Sequence, residues 1–170
     1  MATHRLPILN FATVPDTRLT NGNVIIEPEN INFSPTNKRY RHMLVRFANT
    51  STKDGLAGKF KVPKNYVGNA KIIVSWSATV TTGNVVWVFD YTAVASGESL
   101  DPSADQESAN TGTVTPNGTA RYAVESPITL TSANLAVDDE VLFIFSRDGS
   151  TDTMNGDAYL FSLTFEYTDV

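Results

Sequence analysis

Residues 70–91 read Ala70-Lys71-Ile72-Ile73-Val74-Ser75-Trp76-Ser77-Ala78-Thr79-Val80, then Thr81-Thr82-Gly83-Asn84, then Val85-Val86-Trp87-Val88-Phe89-Asp90-Tyr91. In the first run Ala70, Ile72, Val74, Trp76, Ala78 and Val80 alternate with Lys71, Ser75, Ser77 and Thr79, the period of a strand with one buried face. In the second, Val85, Trp87, Phe89 and Tyr91 share a face. A polar loop containing Gly83-Asn84 separates the runs, so the simplest expectation is a hairpin. Both tryptophans lie here, and the other apolar runs read as strands laid around this pair.

The chain of 170 residues, 41% hydrophobic, fits one domain with a sizeable core. No apolar run is long enough to span a membrane as a helix, and Met1 to Pro7 carry no signal-peptide core. There are no cysteines, which excludes disulfides, thiolate metal sites and cysteine nucleophiles. The net charge of −5 hides a segregation: residues 1–71 carry +7 and residues 72–170 carry −12. Collected on one surface, the basic third would favour an acidic partner; interleaved strands would instead mix the two sets, and strand order decides.

Residues 1–37 stand apart as an extended N-terminal arm. Pro7, Pro15, Pro28 and Pro35 punctuate them, preventing a long helix and weakening any central strand. Val24-Ile25-Ile26 suits a short strand, as do Ile31 and Phe33. Leu6, Ile8, Leu9, Phe11, Val14 and Leu19 make the arm apolar enough to dock on its own domain, a sister subunit or a larger assembly; a disordered terminus is the alternative.

Residues 38–170 read as one β domain. Lys38-Arg39-Tyr40-Arg41-His42 leads into a strand from Met43, and residues 49–55 into a turn. Lys59 and Lys61 share a face of a strand, as edge strands often arrange. Ser96 to Asn117 reads as a long polar loop with weak strand at 112–114. Val141 to Arg147 is apolar on both faces and therefore central, and Tyr159, Phe161, Leu163, Phe165 and Tyr167 form one face of a final strand. With roughly eight strand-like runs and no credible long helix, the expected fold is all-β, a jelly-roll-like antiparallel β-sandwich. An immunoglobulin-type sandwich is second, since its Cys-Trp-Cys framework is absent.

No catalytic constellation emerges, and the chain reads as a non-enzyme without a cofactor. His4 and His42 lack a neighbouring acid in sequence for a triad or metal site. Asp148, Asp152 and Asp157 invite a calcium reading but miss the dense Asp-x-Asp-x-Asp-Gly spacing, and turn formation suits them better. Trp76, Trp87 and Tyr91 sit on core positions, whereas Tyr66 and Tyr122, near loops, are better candidates for stacking on a sugar. Asn49-Thr50-Ser51 and Asn117-Gly118-Thr119 fit the glycosylation pattern, but without a signal peptide neither is expected to be modified. The negative net charge argues against nucleic acid as main partner.

From about Phe60 onward the chain resembles a family of small all-β virion proteins of tailed bacteriophages. Phe60-Lys61-Val62-Pro63, Ser75-Trp76-Ser77, Gly83-Asn84-Val85-Val86-Trp87, Tyr91, Gly97-Glu98-Ser99-Leu100-Asp101, Arg147-Asp148, Asp152-Thr153, Asp157-Ala158-Tyr159-Leu160 and Phe165-Glu166-Tyr167 carry the resemblance. Residues 1–59 take no part in it. It implies a structural role in a virion, made in the host cytoplasm, with no catalytic residue. The expectation is a capsid cement or decoration protein, a homotrimer on the major capsid protein. Leu6, Ile8, Leu9, Phe11 and Val14 of the arm would clasp the shell, with Lys38, Arg39 and Arg41 making polar contacts. The alternative is a head- or tail-fibre module that binds host-surface glycans through the 96–117 loop and exposed tyrosines; a polysaccharide hydrolase comes third.

Overall fold

A computed structural model describes residues 1–9, 11–13, 24–28, 43–100 and 105–169, with 11–13, 24–28 and 43 described by backbone alone. Among these residues the strands are β1 (Thr3–Ile8), β2 (Phe11–Thr13), β3 (Val24–Pro28), β4 (Met43–Phe47), β5 (Lys53–Lys61), β6 (Gly68–Ala78), β7 (Val85–Val94), β8 (Gln106–Val114), β9 (Val124–Thr129), β10 (Glu140–Asp148) and β11 (Ala158–Thr168), with a 3₁₀ turn at Ser132–Asn134. They form two antiparallel sheets packed face to face, a jelly-roll-like sandwich. The first runs β3-β4-β11-β6-β9, with β1 also on β11; the second runs β2-β5-β10-β7-β8.

The expected hairpin of β6 and β7 does not form. β6 pairs with β11 and β9, and β7 with β10 and β8, in opposite sheets. The connection crosses the end of the sandwich. Gly83 has φ +82°, and a Cβ there would run into the Thr153 carbonyl, so the corner demands glycine. The two inward faces that alternation predicted therefore look at each other across the core. Trp76 and Trp87, both fully buried, meet edge to face at 5.6 Å. Only β3–β4 and β7–β8 are sequence neighbours that pair.

Other expectations are sharpened or corrected. β10 is central, between β5 and β7, as its two apolar faces predicted. The strand β8 occupies much of the supposed 96–117 loop; its polar composition suits an edge position. In β11 a register shift between Leu160 and Ser162 breaks the single aromatic face. Leu163, Phe165 and Tyr167 point into the core, while Phe161 is exposed. The strand expected at Ile31 and Phe33 lies outside the described residues.

Where it is described, the N-terminal segment docks on its own domain, the first of the three expected partners. Thr3–Ile8 is a strand of the sandwich, registered residue by residue from Thr3↔Thr168 to Ile8↔Leu163. Its backbone groups are matched by β11, and Ile8 is buried in the core with Leu6 packed against it. Ala2 N–H donates to Asp169, Arg5 bridges Glu166 and Glu125, and the His4 ring stacks on Tyr167 with Nε2 2.7 Å from Asp169. β2 likewise pairs with β5, and β3 with β4.

The charge segregation becomes strand pairing. Arg5 pairs with Glu125 and Glu166, Arg46 with Asp157, Lys53 with Asp148, Lys59 with Glu140, Lys61 with Asp138 and Lys71 with Glu166. Each joins a cation of the first 71 residues to an acid of the last 46, because β1, β4, β5 and β6 lie beside β9, β10 and β11. These described cations form mixed surfaces with acids rather than a basic face.

Candidate functional site

The acids weighed for calcium do structural work. The Asp148 carboxylate accepts from the Ser150 hydroxyl at 2.6 Å and from its N–H at 3.2 Å. Burial pushes this carboxyl up, but those bonds and Lys53 outweigh it and hold it below the usual value. Asp152 accepts from Arg147 and from Met154 N–H, and Asp157 from Arg46 and Asn49 N–H. Each anion thus anchors its turn, as backbone-bonding Asp does. No group of three His, Asp or Glu suited to a metal occurs among the described residues.

Of the expected partner-binding residues, Leu6, Ile8 and Leu9 have described side chains. Ile8 is buried, Leu6 half-buried, and Leu9 is 83% exposed at the end of β1. Phe11 lies in β2; Val14, Lys38, Arg39 and Arg41, like His42, lie outside the described residues. Tyr66 is also corrected: it is 7% exposed, its ring near Phe165 and its hydroxyl donating to Ser132 O. The loop position that suggested exposure is covered because the 3₁₀ turn folds over it. Tyr122 is 62% exposed, as expected.

What the fold does build is a groove on the outer face of the second sheet. The register sets Ala57, Ile144 and Asp90 side by side, then Lys59, Leu142, Thr92 and Gln106, then Lys61, Glu140 and Val94. A depression of about 690 Å³ runs over Ala57, Ile144, Leu142, Asp90, Thr92 and Ser108. A second, of about 300 Å³, continues over Val94, Lys61, Glu98 and Asp138, and the two share Leu100 and Leu142. The floor is aliphatic and one side is polar. Tyr91 and Phe143 border the groove, but their rings belong to the core.

Three features shape the polar side. A register shift between Phe89 and Tyr91 bulges β8 at Ala109, which adopts φ +58°. The Asp90 carboxylate accepts the Ala109 N–H at 2.6 Å through one oxygen and leaves the other without a hydrogen bond among the described residues. Bulges re-aim side chains at sheet edges, and a non-glycine residue held at positive φ marks local strain. The Thr92 hydroxyl is buried with no hydrogen-bond partner among the described residues. Glu107 is satisfied: its oxygens accept from Thr131 N–H at 3.0 Å and Thr131 hydroxyl at 2.6 Å.

Burial pushes the Glu107 carboxyl up, but the bonds from Thr131, then Tyr91 and Asn110, outweigh it and hold it below the usual carboxylate value. Burial, then Glu107, pushes the Tyr91 phenol well above its usual range. A carboxyl held low in the folded state adds stability above its unfolded value, and that stability is lost as pH falls through the folded value. Stability should therefore drop with acidification through the carboxylate range, and Glu107→Gln should flatten part of that drop, Asp148 supplying another part. Urea unfolding at several pH values checks this; an unchanged slope in the variant refutes the role given to Glu107.

No protein-family model matches the chain, and no curated protein matches it. Solved structures do. TmCBM27, a carbohydrate-binding module studied for specific mannan recognition, is 9% identical over 99% of both chains, with TM-score 0.49. The family 30 carbohydrate-binding module of the cellulosomal cellulase Cel9D-Cel44B of Clostridium thermocellum is 10% identical over 97% of both chains, with TM-score 0.46. A family two carbohydrate esterase from Cellvibrio japonicus is 10% identical, with TM-score 0.42; 99% of this chain matches it and spans 34% of its length. These are likenesses of fold.

They correct the expected capsid cement or decoration role. The two structures named above that match this chain along their whole length are carbohydrate-binding modules. The first part of the segment expected to clasp a shell, Thr3–Ile8, is instead a strand of the sandwich itself.

Proposed function

We propose that this chain is a non-catalytic glycan-binding module that holds its ligand in the groove on the outer face of the second sheet. The observation that carries the reading is the groove's lining: an aliphatic floor of Ala57, Leu142 and Ile144 beside the Asp90 oxygen left without a hydrogen bond among the described residues. Sugars present C–H faces and hydroxyl edges, and such a lining suits both. The lining's two carboxylates are both tied into the fold, Asp90 by the Ala109 N–H and Glu107 by Thr131, which suits holding a ligand rather than the acid–base pair of a glycosidase. In the virion setting implied by the phage resemblance, the module would belong to a head or tail fibre and meet host-surface glycans.

The test is calorimetric titration with a panel of oligosaccharides. Ile144→Arg, which sets a charged side chain on the aliphatic floor, should weaken binding about tenfold. Tyr122→Ala, outside the groove lining, should leave it unchanged. Binding abolished by Tyr122→Ala and indifferent to Ile144→Arg would move the site off the groove; no binding to any member of the panel would overturn the function.

A further inference from the structure

We propose that the groove selects glycans carrying a protonated amine and takes that amine at the Asp90 carboxylate; this rests on the glycan-binding reading above. In the larger depression the charged lining residues are both carboxylates, Asp90 and Glu107. Glu107 has its oxygens committed to Thr131. Asp90 has one committed to the Ala109 N–H and one left over, and its bulge contact fixes the carboxylate in place. In the smaller depression Lys61 is neutralised by Asp138 at 3.3 Å, and Glu98 adds a further negative charge. Among the described residues, a ligand in the groove thus meets a negative field with no unpaired cation in the lining.

An ammonium has three N–H donors and no acceptor. Asp90 can take one donor in a charge-assisted bond, stronger than the neutral bond a sugar hydroxyl would make. The aliphatic floor of Leu142 and Ile144 keeps water from one side of the contact and reduces its screening. A uronic or sialic acid would place a second carboxylate in the same field and be rejected.

The experiment titrates the full chain with three trimers: β-1,4-linked glucosamine, its fully N-acetylated form and galacturonic acid. The glucosamine trimer should bind about tenfold tighter than the acetylated one, with the acidic trimer weakest. Asp90→Asn keeps the acceptor for Ala109 N–H and should close the gap to within about twofold. Rising salt should also narrow it in the unaltered protein, which keeps the test decisive if the variant fails to fold. Equal binding of the amine and acetylated trimers, or a gap that survives both Asp90→Asn and salt, overturns the amine selectivity and leaves the glycan reading standing. No binding of these trimers or of the wider panel overturns both.

Discussion

Arg147→Met should cost about 3–5 kcal/mol of folding stability, the range for breaking a buried ion pair from one side. The Arg147 side chain is 1% exposed and lies in the interior at the end of β10. Its Nε donates to Asp152 at 2.6 Å; its other nitrogens donate to the carbonyls of Gly156 at 2.8 Å, Met154 at 3.0 Å, and Phe47 and Ala48 at 3.2 Å. One guanidinium thus ties the end of β4 to the β10–β11 connection. Methionine fills much of the volume but strands a buried carboxylate and several carbonyls. Against the 5–15 kcal/mol of an ordinary domain, that is a large fraction. Arg147→Lys should recover only part of the loss, because an ammonium cannot match a planar fork of donors. Removing both charges with Arg147→Met and Asp152→Asn together should cost less than the two single losses added. Urea unfolding reads all three; a midpoint unchanged in Arg147→Met would refute the account.

Trp87→Ala should lose about 3–5 kcal/mol through the cavity it opens. The ring is fully buried, stacked on Phe145 at 5.1 Å and edge to face with Phe47 at 5.3 Å and Trp76 at 5.6 Å. Phenylalanine separates two parts of this cost. The Trp87 Nε1 is buried with no hydrogen-bond partner among the described residues, so Trp87→Phe removes a stranded donor along with some ring area, and the two effects oppose. The Trp76 Nε1 donates to the Ser126 hydroxyl at 2.7 Å, and Ser126 is fully buried. Trp76→Phe loses ring area and strands that hydroxyl, so both effects have the same sign. Trp76→Phe should therefore be the more damaging by about 1–2 kcal/mol. Equal losses in urea unfolding would show that the indole hydrogen bond does not distinguish the two sites.

The sequence by itself determined most of the strands from β4 onward, though not β8 or β1, and which face of most of them is buried, since alternation is a local property of a pleated chain. Trp76, Trp87, Phe89 and Tyr91 occupy the inward positions their spacing predicted, and β10 is central as its two apolar faces required. It also named Tyr122 as an exposed ring. What only the tertiary structure decided is which strands pair. Alternation is the same for a hairpin and for two strands facing each other across a core, so residues 70–91 left that choice open, and the crossing at Gly83 placed β6 and β7 in opposite sheets. The one-residue shift in β11 that exposes Phe161 is equally invisible in a pattern of apolar letters. The charges carried a signal legible only afterwards: cations early and acids late, because β1, β4, β5 and β6 take their neighbours from the end of the chain. The groove is the most non-local feature of all. Ala57, Asp90, Thr92, Gln106 and Leu142 come from four strands, and only the register of β5, β10, β7 and β8 brings them onto one face.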